Sequence, residues 1–194
     1  MIVLASQSGS RRAMLEAAGI PFRAQPAHID ERALEASLEG AAAAEVAVAL
    51  ATAKAQHVSR ETSGAVVLGS DSLVSCGGRR FDKPASRENA AEHLRFFSGK
   101  VMELHSAAAL VRDGEVLWAE AALAQLRVAE LSDSFIAGYL DAEWPEVAAC
   151  VGVFRIEGRG VQLFEAIDGD YFTILGMPLL KVQSALRRLG VLVR

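Results

Sequence analysis

Two short clusters in this sequence combine residue types that handle phosphate chemistry. The first is Ser6-Gln7-Ser8-Gly9-Ser10-Arg11-Arg12, which joins a short apolar run to a helical pattern. Backbone N–H groups at a helix start attract anions, and the helix dipole adds a modest favourable field. Three serine hydroxyls add donors, and two guanidiniums can grip phosphate oxygens in pairs. An ordinary capped helix with exposed arginines fits the same letters, and this loop alone does not choose between the two. The chain holds neither Gly-x-x-x-x-Gly-Lys-Ser/Thr nor Gly-x-Gly-x-x-Gly, so it carries neither a P-loop nor a dinucleotide fingerprint.

The second cluster is Val66-Val67-Leu68-Gly69-Ser70-Asp71-Ser72. An acid at the end of a buried strand sits naturally in a cleft. Gly69 and Ser70 are small enough to let a ligand approach the backbone there. Asp71 can hold a divalent cation or take a proton from an attacking water; the bland alternative is an aspartate capping a turn. Glu31, Lys54 and Lys83 are each readable as solvated charges, yet together they supply a carboxylate for a metal and cations for a triphosphate. In Phe154-Arg155-Ile156-Glu157-Gly158-Arg159-Gly160 the glycines permit a tight turn and close backbone approach, and Glu157 can accept hydrogen bonds from a base edge. His28, His57, His93 and His105 show no metal-ligand spacing.

The elements that must position these residues alternate strand-like and helix-like, which predicts α/β or mixed α+β architecture. Strands are expected at Ile2–Ala5, Pro21–Ala27, Ala65–Leu68, Leu123–Val128, Val151–Ile156 and Val161–Ile167. Gly77-Gly78 and Asp113-Gly114 mark hairpins joining Leu73–Cys76 to Arg79–Phe81 and Val101–Val111 to Glu115–Trp118. Helices are expected at Arg11 to Ala18 capped by Ser10, Glu45–Arg60, Arg87–Phe97 capped by Ser86, a segment through Leu140 capped by Ser132, and Leu179–Leu189. With 194 residues and no low-complexity linker or repeat, the whole chain, 1–194, reads as a single domain with two lobes around a cleft.

Composition narrows the function classes. A net charge of −4 argues against a general nucleic-acid-binding surface, so an anion site must come from local cations. The Ala-rich stretch Ala41–Ala55 carries Glu45 and Lys54 and is too polar to span a bilayer, so no membrane association is expected. Met1-Ile2-Val3-Leu4-Ala5 opens without a signal-peptide pattern, and a cytoplasmic location is expected. Cys76 and Cys150 read as small apolar residues rather than a disulfide or a metal pair.

Several motifs then coincide in order: Leu4-Ala5-Ser6 with Ser8, Arg11 and Arg12; Ile29-Asp30-Glu31; Lys54-Ala55; Gly69-Ser70-Asp71; Lys83-Pro84; Ser98-Gly99; Ile156-Glu157-Gly158-Arg159-Gly160; and Gly169-Asp170-Tyr171 through Leu175-Gly176-Met177-Pro178-Leu179. This ordered set resembles the Maf family of nucleotide pyrophosphatases across nearly the whole chain. The resemblance implies an α/β fold of the Maf and ITPase type, with a mixed central β-sheet flanked by helices and two lobes around a cleft. It implies hydrolysis of a nucleoside triphosphate to a monophosphate and pyrophosphate, a house-cleaning role in the nucleotide pool, dependence on a divalent metal cation (Mg²⁺, Mn²⁺ or Co²⁺), and a homodimer. By position, Asp71 matches the family's catalytic aspartate, Ser6, Arg11, Arg12, Lys54 and Lys83 its polar and basic pocket residues, and Glu31 its acidic one. Glu31 and Asp71 are the matching metal candidates.

Ser10, Ser72 and Glu157 fall on positions tied to substrate choice. The branch preferring dTTP and UTP carries Thr after the aspartate and Gln before the glycine turn. The branch acting on 7-methyl-GTP carries Glu at the latter position, as here, and shares the spacing before the Arg pair. Ser10 and Ser72 stand where that branch has Trp and Gln, and the Gly169–Thr173 run departs from its usual form. The resemblance is thus closer to the 7-methyl-GTP branch, with a guanine-like substrate expected. It also allows a nucleotide-binding regulator of cell division with little turnover; retention of Asp71 with both lysines favours the enzyme.

Overall fold

The computed structural model describes residues 1–193. Its strands form one mixed sheet in the order β2-β1-β3-β5-β6-β7, with β4 paired to β3. The strands are β1 (Ile2–Leu4), β2 (Phe22–Ala24), β3 (Val67–Cys76), β4 (Arg79–Phe81), β5 (Val101–Arg112), β6 (Glu115–Val128) and β7 (Phe164–Asp168). The helices are α1 (Gly9–Ala17), α2 (Glu31–Ser37), α3 (Ala43–Ser59), α4 (Arg87–Phe97), α5 (Asp133–Glu143), α6 (Tyr171–Ile174) and α7 (Leu179–Arg188). β1 pairs parallel with β2 and β3, whereas β3–β4 and β6–β7 are antiparallel. The expected α/β class with a mixed sheet is the one observed.

The chain divides into two compact units. The first comprises Met1–Ser72, His105–Ala122 and Asp170–Arg194. One face of its strands packs Ile2, Leu4, Leu68 and Leu110 against Met14 and Leu15 of α1 and Val182 and Leu186 of α7. The alternate residues, Val3, Val67 and Val111, pack against Ala55 and Val58 of α3. The period-two alternation of side chains along each strand thus feeds two apolar layers. Burial of α7 along one stripe is what its amphipathic pattern predicts.

The second unit comprises Leu73–Leu104 and Leu123–Gly169. Phe81, Phe96, Phe97 and His93 pack there edge-on or tilted, with ring centroids 4.6–6.4 Å apart. Arg95 on α4 bonds Asp133 on α5 at 2.6 Å, and Arg87 bonds Asp141. Ser86 and Ser132 cap α4 and α5 as expected, accepting from Asn89 N (3.2 Å) and Phe135 N (3.1 Å).

Four local expectations are corrected. Ser8, not Ser10, caps α1: its extended backbone (φ −60°, ψ 123°) lets its hydroxyl accept from Arg11 N. Asp30 caps an additional helix, α2, accepting from Ala33 N at 2.9 Å. That helix buries no residue, so it lacks the apolar periodicity that would announce it. The segments expected at Val101–Val111, Glu115–Trp118 and Leu123–Val128 form two long strands, β5 and β6. Val151–Ile156 is not a strand, because Val153 takes a left-handed conformation (φ +57°), and Arg159–Leu163 forms a 3-10 turn before β7.

Candidate active site

The polar site of the first unit is built on β1, α1, α3 and β3. The loop after β1 turns Ser6 inward, where it is 7% exposed. Its hydroxyl accepts from Ser8 N (3.2 Å) and from Arg11 Nη1 (3.3 Å). Ser10 lies in the first turn of α1, its hydroxyl 2.9 Å from that of Ser8. The first-turn amides of a helix have no intrahelical acceptor, so this end of α1 presents donors. Arg12 is exposed on the same turn.

Arg11 is anchored instead. Its Nε donates to Gly176 O at 2.9 Å and its Nη2 to Ser72 Oγ at 3.1 Å. Ser72 Oγ lies 3.0 Å from both Gly176 O and Ser106 Oγ, and Ser106 donates to Thr173 O at 2.8 Å. Gly176 has φ +105°, and a Cβ there would come 3.3 Å from Ser72 Oγ. Burial pulls the Arg11 guanidinium below its ordinary range, while Asp71 and Glu31 act against that shift. A charged planar group is thus fixed within the field of two carboxylates. Ser72, read from the sequence as a specificity position, is one of the residues that fix it.

Asp71 is the fifth residue of a ten-residue strand rather than the end of one. The sequence Gly-Ser-Asp-Ser reads as a strand end, but its polar groups are satisfied at long range. Ser70 is fully buried, and its hydroxyl reaches Ala107 O (2.8 Å) and Gly176 O (3.2 Å). Gly69 is not a gap for a ligand. A Cβ there would lie 2.0 Å from Ala51 O and 2.9 Å from Ala55 N, so its missing side chain admits helix α3.

That close approach puts Lys54 of α3 against the strand. Lys54 Nζ donates to Asp71 Oδ1 at 2.5 Å and lies 3.1 Å from Glu31 Oε1. Asp71 is 7% exposed, and Glu31, the first residue of α2, is exposed. Two carboxylates therefore converge on one ammonium, with Arg11 in their field.

The same convergence tests the fit of a divalent cation. Glu31 and Asp71 offer the hard oxygen donors that a divalent cation takes, but the point on which they converge is held by the Lys54 ammonium, so a cation would bind beside it. No group of three or more His, Cys, Asp or Glu that could hold a metal occurs among the described residues. Two protein carboxylates match a cation that takes its remaining ligands from water and phosphate.

Lys83 and Glu157 belong to the second unit. Lys83 is exposed between β4 and α4, and Glu157 is exposed in the turn before the 3-10 segment. Both charges reach Cys150: burial chiefly raises its thiol, Glu157 adds to that rise, and Lys83 and Arg155 oppose it. Gly160 packs on the Arg155 backbone, where a Cβ would meet Arg155 O at 2.4 Å, so the expected close approach is present.

Several residues that build these sites were not singled out by their chemistry in the sequence. Gly176, Ser106 and Thr173 hold Arg11 and Ser72. Asp170 caps α6 by accepting from Phe172 N (3.0 Å) and Thr173 N (3.1 Å), which explains the Gly169-Asp170-Tyr171 motif structurally. In the second unit Glu143 and Tyr139 bond Arg155 and Val153. No helix among the described residues is long and apolar enough to cross a membrane.

Comparison with known proteins gives a family match over residues 1–189 to the model described as Maf-like protein. A 7-methyl-GTP pyrophosphatase of Rhizobium meliloti (strain 1021) is 50% identical, over 99% of this chain and 98% of its own. A nucleoside triphosphate pyrophosphatase of Nitrobacter hamburgensis is 47% identical, over 98% and 95%. A 7-methyl-GTP pyrophosphatase of Mesorhizobium japonicum is 48% identical, over 98% and 97%. A solved structure of a HAM1 protein from Coxiella burnetii aligns with a TM-score of 0.45 and 21% identity, over 67% of this chain and 73% of that one, too low a score to carry an argument.

Proposed function

The chain belongs to the Maf-like protein family, and from that premise we propose that it is a nucleoside triphosphate pyrophosphatase with Asp71 as the catalytic carboxylate. The observation that carries this reading is the convergence of Asp71 and Glu31 on Lys54 Nζ, at 2.5 and 3.1 Å, beside the half-buried charge of Arg11. Full-length relatives near 50% identity bearing pyrophosphatase names support it.

The reaction is in-line attack of water on the α-phosphorus. The new bond joins the water oxygen to phosphorus, the bond to the bridging oxygen of the β-phosphate breaks, and pyrophosphate leaves. Asp71 holds Lys54 through Oδ1 and takes the water's proton at Oδ2. An ammonium has three donors, so Lys54 keeps one for a phosphate oxygen while facing two carboxylates. Ser6, the first turn of α1 and the exposed Arg12 guanidinium bind phosphate oxygens. Arg11, tied by Gly176 and Ser72, keeps that turn in place and adds fixed positive charge. Lys83 is a further phosphate cation in this proposal. Glu31 and Asp71 would hold a divalent cation, which would supply charge neutralisation and polarise a phosphoryl oxygen.

The base is guanine-like, methylated forms included. Glu157 is an exposed carboxylate and only accepts hydrogen bonds. Guanine offers N1–H and N2–H side by side, whereas thymine and uracil place carbonyl acceptors beside their one ring N–H. Relatives named 7-methyl-GTP pyrophosphatase, those of Rhizobium meliloti and Mesorhizobium japonicum among them, support the same choice. A cytoplasmic location and a homodimeric state belong to the same proposal; sedimentation of the purified protein checks the latter.

The test is a panel of GTP, 7-methyl-GTP, dTTP and UTP with Mg²⁺, Mn²⁺ and Co²⁺, scored for products and specificity constants. The expected outcome is monophosphate plus pyrophosphate, with guanine substrates preferred. Release of orthophosphate, or preference for dTTP, contradicts the proposal.

A further inference from the structure

In the second unit, Tyr139 and Glu143 stand one turn apart on α5, so their side chains emerge on the same side of the helix. Both are buried, and each grips the segment that follows. Tyr139 Oη donates to Val153 O at 3.0 Å. Glu143 Oε2 accepts from Arg155 Nε at 3.1 Å and from Arg155 Nη2 at 2.9 Å.

The gripped segment is not in a conformation it would choose alone. Val153 has φ +57°, and a β-branched side chain there is strained. Such a residue persists only where its surroundings over-determine it. Arg155 is the base of the turn that follows. Its carbonyl accepts from Gly158 N at 3.1 Å, and Gly160 lies flat on its backbone. Glu157 sits inside that turn. Its position is therefore referred, through Arg155 and Val153, to two side chains of α5.

A buried carboxylate is an expensive way to pack a helix. Glu143 is 4% exposed, and an apolar residue would avoid its desolvation. A paired charge with a planar partner instead fixes direction. We infer that Tyr139 and Glu143 are positioning residues that set base selectivity by holding the Val153–Gly160 turn, and with it Glu157, in one geometry. The inference rests on the reading of Glu157 as the group that recognises the base.

The test is a double-mutant cycle on the purified full-length protein, measuring kcat and KM for 7-methyl-GTP and dTTP. The variants are Glu157→Gln, Glu143→Gln and the pair, with Tyr139→Phe made in parallel. Glu143→Gln is expected to raise KM for 7-methyl-GTP about tenfold, leaving dTTP kinetics nearly unchanged. In the Glu157→Gln background it should have no further effect on the ratio, because the group it positions is already altered. A purely structural role would lower both substrates together and would act equally in either background. If Glu157→Gln shifts the ratio but Glu143→Gln does not, or the two effects add, positioning by α5 is overturned and base reading stands. If Glu157→Gln leaves the ratio unmoved, base reading fails, and positioning with it. If Glu143→Gln does not fold, Tyr139→Phe, which removes only the bond to Val153, decides the same outcomes.

Discussion

Lys54 Nζ lies 2.5 Å from Asp71 Oδ1, although the two residues sit on different elements, helix α3 and strand β3. What permits the contact is Gly69, two residues before Asp71, whose bare backbone lets α3 come within 2.0 Å of where a Cβ would stand. The same ammonium lies 3.1 Å from Glu31 Oε1. The carboxylate pair and its counter-charge are thus set by a backbone contact rather than by the three side chains alone.

Removing the counter-charge tests its share in catalysis. Lys54→Met leaves two carboxylates facing each other without their cation. Turnover is expected to fall roughly 100-fold, and Lys54→Arg should restore only part of it, because a planar fork is not a compact point charge. Steady-state pyrophosphate release measures both. Wild-type kinetics in Lys54→Met would remove Lys54 from the site.

The helix approach gives a second test. Gly69→Ala puts a methyl group into the backbone of α3, so the helix must shift. The expected loss is about 1–3 kcal/mol in chemical denaturation, with a drop in turnover larger than for a surface control such as Ser184→Ala on α7. Stability equal to wild type would mean that α3 does not pack where Gly69 meets Ala51 and Ala55.

A pH effect on stability follows from His93. Burial, and then the charge of Arg79, lowers its pKa below the ordinary value. Below about pH 6.5 the unfolded chain therefore binds a proton that the folded one resists. The contribution is fully present above that value and is lost as pH falls through the lower folded pKa. Thermal unfolding from about pH 8 down to about pH 5 should decline less steeply in His93→Gln than in wild type. Parallel declines would contradict the assignment.

Much of the fold was legible because the signals are local. Ser86 and Ser132 cap helices through their own backbone neighbourhood, and Asp113-Gly114 turns a hairpin with φ +49° and +84°. The strand through Asp71 runs on past Gly69 and Ser70, where the local sequence pattern would end it. Gly69, Ser70 and Ser72 look like loop residues until Ala107 O and Gly176 O arrive from far along the chain. Val151–Ile156 failed for the opposite reason: its apolar pattern fits a strand, but the left-handed Val153 breaks the alternation. The Lys54–Asp71–Glu31 cluster was legible as an ordered set of motifs. The anchoring of Arg11 by Gly176, and of Arg155 by Glu143, was not, since neither pairing leaves a spacing signal.

Asp71 is the group proposed to carry the chemistry, and Asp71→Asn isolates its charge. The substitution keeps the size and removes the charge that takes the proton. Pyrophosphate release from a nucleoside triphosphate by the folded variant is expected to fall about 100- to 10,000-fold, with its unfolding transition close to wild type. A folded Asp71→Asn protein that releases pyrophosphate at near the wild-type rate would contradict a catalytic role for Asp71.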